Sequence, residues 1–216
     1  MRKLNWQVYL RLLVILLMVG VGFYFADKLP DRVPMHWNWQ GEVDSYGSRV
    51  QGLWTIPIMT VGIMILFWFL PKFDPKREKY QQFADVWEIF QSSFVIFMLY
   101  VYVVSLYAAM AKIDVGGLVM LGIGLLFVLL GNYMGKIRQN YFVGIKLPWT
   151  LSNEEVWNRT HRVGGWCFVL AGILMVLGAY FKIVMGWLFV VAMVTCLIVP
   201  ILYSYIIYKK IVPAKK

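Results

Sequence analysis

Residues 115–134 read VGGLVMLGIGLLFVLLGNYM, twenty positions without a charged side chain. A helix of about 20 apolar residues is long enough to cross a hydrocarbon core of roughly 30 Å. Working outward, five more stretches have the same character: 8–26, 53–70, 94–111, 163–181 and 184–208. The expected fold is all-α and integral to a membrane, with six transmembrane helices. Composition agrees, because 61% of the 216 residues are hydrophobic, against about 45–50% in a soluble domain. A chain of this size has no core large enough to hide that excess. Its 18 Gly and 10 Trp suit membrane helices and their interfaces. Residues 10–25 run on without an Ala-x-Ala-like cleavage site, so they are read as a retained first span rather than a signal peptide. Pro57 and Pro200 fall inside two of the spans, where each removes a backbone donor. Arg11 sits near one end of the first span and is expected to snorkel to the headgroups.

The net charge of +10 does not point to nucleic acid, since Lys and Arg lie between the apolar runs rather than on one face. Alternating the loops across six spans places 16 of the 21 Lys and Arg residues on one side and 5 on the other. The positive-inside rule assigns the richer side to the cytoplasm, with both termini inside. The expected localisation is multi-pass in a plasma membrane. Membrane lipids are expected partners, and direct contact with nucleic acid is not. Cys167 and Cys196 lie within apolar runs and read as small buried hydrophobes.

The short connections 112–114 and 182–183 force tight antiparallel hairpins of helices. The other three loops are longer. The outside loop, residues 27–52, reads DKLPDRVPMHWNWQGEVDSYGSRVQG. Pro30 and Pro34 stiffen it, Gly41 and Gly47 permit turns, and Trp37, Trp39 and Tyr46 suit the headgroup layer. On the cytoplasmic side, Asp74-Pro75 reads as a helix N-cap followed by Pro at the first helical position. Phe83, Trp87, Phe90 and Phe94 then form one apolar face beside Lys72, Lys76, Arg77 and Lys79, the pattern of a short interfacial helix. A calmodulin-type target is the second reading of that stretch.

The second cytoplasmic loop spans residues 135–162. Leu147-Pro148 stops any helix carried over from the fourth span. Ser152-x-x-Glu155 reads as a capping box for a helix beginning near Asn153. On that helix Glu155 and Arg159 are spaced for an ion pair, and Trp157 and His161 for contact. Val156, Trp157 and Thr160 share a side.

The two histidines, His36 and His161, fall on opposite sides of the membrane in this topology, so they cannot share an active site or a metal. No G-x-S-x-G, H-E-x-x-H or phosphate-binding glycine loop is present. No catalytic residue, metal site or cofactor is assigned, and the chain is not read as an enzyme. His36 can join Glu42 and Asp44 in a site titrating near neutral pH. The favoured alternative is a His hydrogen-bonded within its loop. His161, Trp157, Arg159 and Arg162 suit either a cytoplasmic partner or an anchor at the headgroups.

Two long motifs carry a family resemblance. LPDRVPMHWNWQGEVDSYGSR, residues 29–49, resembles the loop of a bacterial membrane domain of formerly unknown function that commonly precedes an SdpI-type domain. NYFVGIKLPWTLSNEEVWNRTHRVGGW, residues 140–166, is similar to the signature of the SdpI domain itself. The family pattern Gly-Ile-Arg-Thr-Pro stands here as Gly144, Ile145, Lys146, Leu147 and Pro148, so a planar donor fork and a hydroxyl are lost. The resemblance implies a two-span unit over residues 1–71, carrying the outside loop 27–52, and an SdpI-like four-span unit over 72–216, carrying the cytoplasmic loop 135–162. It implies an immunity or signalling protein that protects against a secreted membrane-active peptide toxin and binds a cytoplasmic transcriptional repressor.

On that reading Pro34, His36, Trp37, Asn38, Gly41 and Asp44 form the outside ligand surface. Lys146, Pro148, Trp149, Glu155, Trp157, Arg159, His161 and Arg162 form the inside partner surface. A tilt of span five against span four is the expected two-state element. The alternative is a lipid or small-solute transporter, or an envelope-homeostasis protein, using the same loops. The topology predicts that, in a variant lacking Cys167 and Cys196, a cysteine replacing Gln40 reacts with an impermeant thiol reagent on intact cells. One replacing Asn153 reacts only after lysis.

Overall fold

The computed structural model describes residues 6–38, 42–181 and 185–212. Arg2 and Lys3, Trp39 and Gly41, the connection at Lys182 and Ile183, and Lys215 and Lys216 lie outside the described residues. Six long helices appear in the expected order: α1 (Trp6–Phe25), α2 (Arg49–Phe73), α3 (Ala84–Met110), α4 (Val115–Met134), α6 (Glu154–Tyr180) and α7 (Met185–Ile211), with a short α5 (Pro148–Ser152) before α6. Each of the six is long and apolar enough to cross a membrane. Large side chains such as Ile58, Trp187 and Leu16 point away from the protein, at 68%, 77% and 67% exposure. Only an apolar solvent accommodates that much exposed hydrocarbon.

α3 packs against α1, α2 and α4, and the chain of contacts continues from α4 to α6 and from α6 to α7. The tightest seam joins α4 and α6. A methyl on Gly165 would stand 2.6 Å from the Gly131 carbonyl oxygen, and one on Gly172 would stand 2.5 Å from that of Gly124. The two glycine pairs are seven residues apart on each helix, so the antiparallel backbones touch twice along one stripe. Small residues permit this approach, and dispersion between the backbones replaces the hydrophobic drive that lipid removes. A tilt of α6 against α4 would have to break that seam, which argues against the sequence-based choice of moving element. Cys167 and Cys196 are buried beside it, unpaired.

Residues 32–48 add an element the sequence reading lacks. β1 (Arg32–Trp37) and β2 (Val43–Ser48) form an antiparallel hairpin with irregular register around His36. Pro34 is tolerated because a two-stranded sheet consists of edges. Val33 seats the hairpin on the bundle among Phe25, Leu29, Leu53 and Leu106. Gly52 makes room for it, since a Cβ there would lie 2.4 Å from Val33. Ser48 then caps α2: its Oγ accepts from Gln51 N at 3.3 Å, while Gln51 Oε1 accepts from Ser48 N at 2.8 Å. That Ser48-x-x-Gln51 box is legible in the sequence and was missed there.

Three local expectations are corrected. Arg11 does not snorkel; it is 4% exposed and pairs with Glu88 of α3 at 2.8 Å. Asp74 does not start an α-helix. It ends α2, and a 3-10 segment (Arg77–Phe83) follows before α3. Phe83 and Trp87 do not lie on a membrane surface. They are buried with Tyr80, Ile137 and Trp157, and Phe67 of α2 packs edge-on against both Trp87 and Phe94.

Both expected prolines lie inside helices, and Pro57 has a visible consequence. It supplies no N–H, so the carbonyl of Leu53, four residues earlier, has no helical donor. The buried Tyr102 hydroxyl of α3 donates to that oxygen at 2.9 Å. Tyr102→Phe is therefore expected to lower stability by about 1–3 kcal/mol, the cost of an orphaned buried acceptor. In a Pro57→Ala background, where residue 57 regains its N–H, the same change should cost about 1 kcal/mol less. Unfolding of the four proteins in detergent measures both values.

Candidate functional site

The bundle carries built structure at each end, and the two histidines lie at opposite ends. One end holds the hairpin. Its tip is closed by Asn38 N donating to the Glu42 carbonyl at 2.8 Å and Glu42 N donating to Asn38 Oδ1 at 2.9 Å. Arg49 at the start of α2 pairs with Asp31 at 2.7 Å. Across the strands His36 Nδ1 donates to Asp44 Oδ1 at 2.6 Å, and both side chains are exposed. Pro34, Trp37 and Asn38 are half-buried around them. Among the described residues no three His, Cys, Asp or Glu side chains converge as a metal site would need. The hairpin thus offers a firm, amphipathic surface that carries the His36–Asp44 pair.

The other end holds a clamp built by residues 135–153 against the α2–α3 turn. After α4 ends, the chain leaves helical geometry and needs partners for its backbone groups. Asn140, fully buried, supplies four. Its Oδ1 accepts from Phe142 N at 2.9 Å and Val143 N at 2.6 Å, and its Nδ2 donates to the carbonyls of Arg138 and Val143, each at 2.9 Å. Gln139 Nε2 donates to the Thr150 and Leu151 carbonyls at 2.8 and 2.9 Å, and its Oε1 accepts from Lys76 Nζ. Burial, with Lys79 nearby, lowers the pKa of Lys76.

Asp74 joins the two segments: Oδ1 accepts from Lys76 N at 2.7 Å, and Oδ2 accepts from Tyr141 N at 2.9 Å and from Tyr80 Oη at 3.3 Å. Lys79 and Glu154 add an ion pair at 2.6 Å between the same elements.

His161 organises the middle of the clamp. Its Nδ1 donates to the Trp157 carbonyl, and its Nε2 accepts from Ile145 N, both at 2.9 Å. Accepting at Nε2 requires the neutral imidazole with its proton on Nδ1. The ring stacks on Trp157, with centroids 4.0 Å apart, and Trp157 Nε1 donates to the Ile137 carbonyl at 2.9 Å. The loop passes so close that Gly144, at φ +118°, could not carry a Cβ: it would stand 2.2 Å from His161 Nε2. Leu147 occupies the cap position before α5 without an acceptor to offer. Thr150 Oγ1 accepts from Leu147 N at 2.9 Å, which serves the cap residue's own N–H and leaves the first turn of α5 without a side-chain acceptor from residue 147. Trp149 Nε1 donates to Ser204 Oγ of α7 at 2.8 Å.

The residues expected to meet a partner at this end therefore divide. Trp157 and His161 are both fully buried. They hold the loop and have no surface to give, which corrects their reading as partner contacts. Lys146, Pro148, Glu155, Arg159 and Arg162 are exposed, and Trp149 is half-buried. Glu155 and Arg159 pair at 2.5 Å as their spacing required. The helix starts where expected, but its cap is Asn153, whose Oδ1 accepts from Glu155 N and Val156 N, rather than Ser152. Arg162 shares a cleft of about 660 Å³ with Lys136, Arg138 and Asp85. Three cations against one carboxylate make that cleft suited to an acidic group. Sequence reasoning missed Asp74, Tyr80, Gln139, Asn140 and Thr150 as clamp members. The available signal was the pair of amides, Gln139 and Asn140, just beyond an apolar span.

Comparison with known proteins finds two matching segments in the chain. Residues 136–204 match the SdpI/YfhL protein family, and residues 13–61 match a domain of unknown function, DUF1648. The chain is 23% identical over 207 residues to the Bacillus subtilis (strain 168) protein named Immunity protein SdpI, covering 93% of this chain and 95% of that one. No solved structure matches. With six membrane-crossing helices and this relative, the chain is a multi-pass bacterial membrane protein. The clamp and the two helices that carry it, α6 and most of α7, are thus the part of the chain similar to the SdpI/YfhL family, and the hairpin lies in the part similar to DUF1648.

Proposed function

We propose that this protein confers immunity to a secreted, membrane-active peptide. The hairpin end faces outward and meets the peptide; the clamp end faces the cytoplasm and holds a transcriptional repressor. The observation that carries the reading is similarity to an immunity protein over 93% of the chain, including both built ends. The charge distribution supports the orientation, since the clamp end carries most of the Lys and Arg residues.

The hairpin is suited to the outer role because crossing the bilayer does not need it, yet Val33 and Gly52 hold it firmly. A surface that is already ordered loses little entropy on binding. His36, Asp44 and the exposed Tyr46 supply charge and aromatic area to that surface. At the other end, the basic cleft with Arg162, and Lys146 beside Pro148, would receive an acidic segment of the repressor. The contacts Asp74–Tyr141 and Lys79–Glu154 link the α2–α3 turn to the clamp. They replace the tilt of α6 on α4 as the route by which occupancy outside would alter the surface inside.

Expression in a peptide-sensitive strain tests the outer role. The wild-type protein should raise survival against at least one member of a panel of secreted membrane-active peptides, and unchanged killing at good expression would sink the reading. His36→Ala combined with Asp44→Ala should weaken protection about tenfold, equivalent to about 1.4 kcal/mol, at an unchanged amount of protein in the membrane. The clamp is tested separately. Gly144→Ala drives a methyl into His161 and imposes a left-handed backbone on Ala, and should cost about 3 kcal/mol of stability, read as a lower unfolding midpoint in detergent.

A further inference from the structure

α1 and α2 meet near the hairpin, where Phe23 and Trp54 pack edge-to-face at 5.4 Å. Toward the clamp end they part, and both lean on α3. The gap is a lateral crevice of about 1710 Å³, larger than the roughly 300–1,000 Å³ of a small-ligand pocket. Its walls are hydrocarbon, from Ile15 on one side and Val61, Met64 and Ile65 on the other. Its mouth is charged, with Lys72 and Arg77 set among Glu78 and Asp85.

Its floor holds the Arg11–Glu88 pair. Arg11 NH1 donates to Ser92 Oγ and to the Glu88 carbonyl, both at 3.3 Å. Its Nε is buried and has no hydrogen-bond partner, although the side chain is only 5% exposed. A buried guanidinium with an idle donor is costly in a low-dielectric setting, and an ionisable residue within a span marks a functional site by default.

We propose that this crevice binds one phospholipid whose headgroup carries both a phosphodiester and a primary ammonium, a phosphatidylethanolamine, drawn from the leaflet at the clamp end. The phosphodiester is an acceptor for Arg11 and a counter-charge for Lys72 and Arg77. The ammonium is a donor for Glu78 and Asp85. The acyl chains lie along Ile15, Val61 and Ile65. Two cations and two carboxylates at the mouth match a headgroup of both signs. A singly anionic headgroup would leave the carboxylates facing phosphate, and a trimethylated ammonium could not hydrogen-bond to them. This site is separate from the hairpin and borders the clamp cleft at Gln81, Ala84 and Asp85, and it stands whether or not the immunity reading does.

Native mass spectrometry of the purified protein, after exchange into mixed micelles with equimolar phosphatidylethanolamine, phosphatidylcholine and phosphatidylglycerol, tests it. The ethanolamine lipid should be retained about tenfold over each of the others, the discrimination of one charge-assisted hydrogen bond. Arg77→Gln with Glu78→Gln, both at the exposed mouth and outside the clamp cleft, should remove that preference without moving the unfolding midpoint. Arg11→Leu with Glu88→Leu, which removes the pair together and leaves no lone buried charge, should abolish retention. Equal retention of the three lipids, preference for phosphatidylglycerol, or full preference in the mouth variant would each overturn the proposal. So would complete competition by glycerophosphoethanolamine, the headgroup without chains, because the site would then take a free phosphodiester rather than a lipid.

Discussion

Hydrocarbon cannot accept or donate a hydrogen bond, and nearly every feature of this protein answers that constraint. Six helices satisfy their own backbones. Wherever the chain leaves a helix within the bilayer or buried in the protein, other parts of the protein must serve the freed groups. Pro57 frees the Leu53 carbonyl, and Tyr102 from a neighbouring helix meets it. Residues 137–147 leave helical geometry altogether, and Asn140, Asp74, Trp157 and His161 serve backbone groups among them. The hairpin solves the same problem by pairing its two strands and capping α2 with Ser48.

Packing follows from the same medium. Lipid tails are as apolar as leucine, so helices gain little by hiding leucine from them. The α4–α6 seam instead uses glycine at 124, 131, 165 and 172 to bring backbones into contact. That contact fixes α6, which carries Trp157 and His161 at its clamp end. The seam is therefore upstream of the clamp: without a fixed α6, His161 could not meet Ile145 N, and Gly144 would not need its left-handed backbone.

Among the described residues, polar side chains within the bundle are few and most find a partner, Arg11 Nε being an exception. Arg11 with Glu88 shows why a charge in a span need not snorkel. When a carboxylate on the facing helix is within reach, the pair resolves both charges inside the protein. The neutral His161 is the complementary case, a titratable ring used for its shape and its two nitrogens, in which protonation would set an N–H against the Ile145 N–H. Exposed charge is concentrated at the two ends, where water and headgroups screen it, and there the surfaces fit for partners are found.

The number of spans, their order and the clustering of Lys and Arg were legible from residue order alone, because hydrophobic length and charge position are local quantities that a bilayer reads directly. Contacts at i, i+4, such as Glu155–Arg159 and Trp157–His161, were legible for the same reason. The glycine seam left a trace too, a seven-residue spacing on two helices, but which helices meet is not written in either one. Tertiary structure decided the rest. It turned a proline-containing loop into a hairpin by giving Val33 a seat. It moved Phe83 and Trp87 from a membrane surface into a core by bringing Ile137 and Trp157 to them. It assigned Asp74 to Tyr141, 67 residues away, and Arg11 to Glu88. In each case a side chain's role depended on a partner distant in the chain, and only the folded bundle determines which distant groups come within reach.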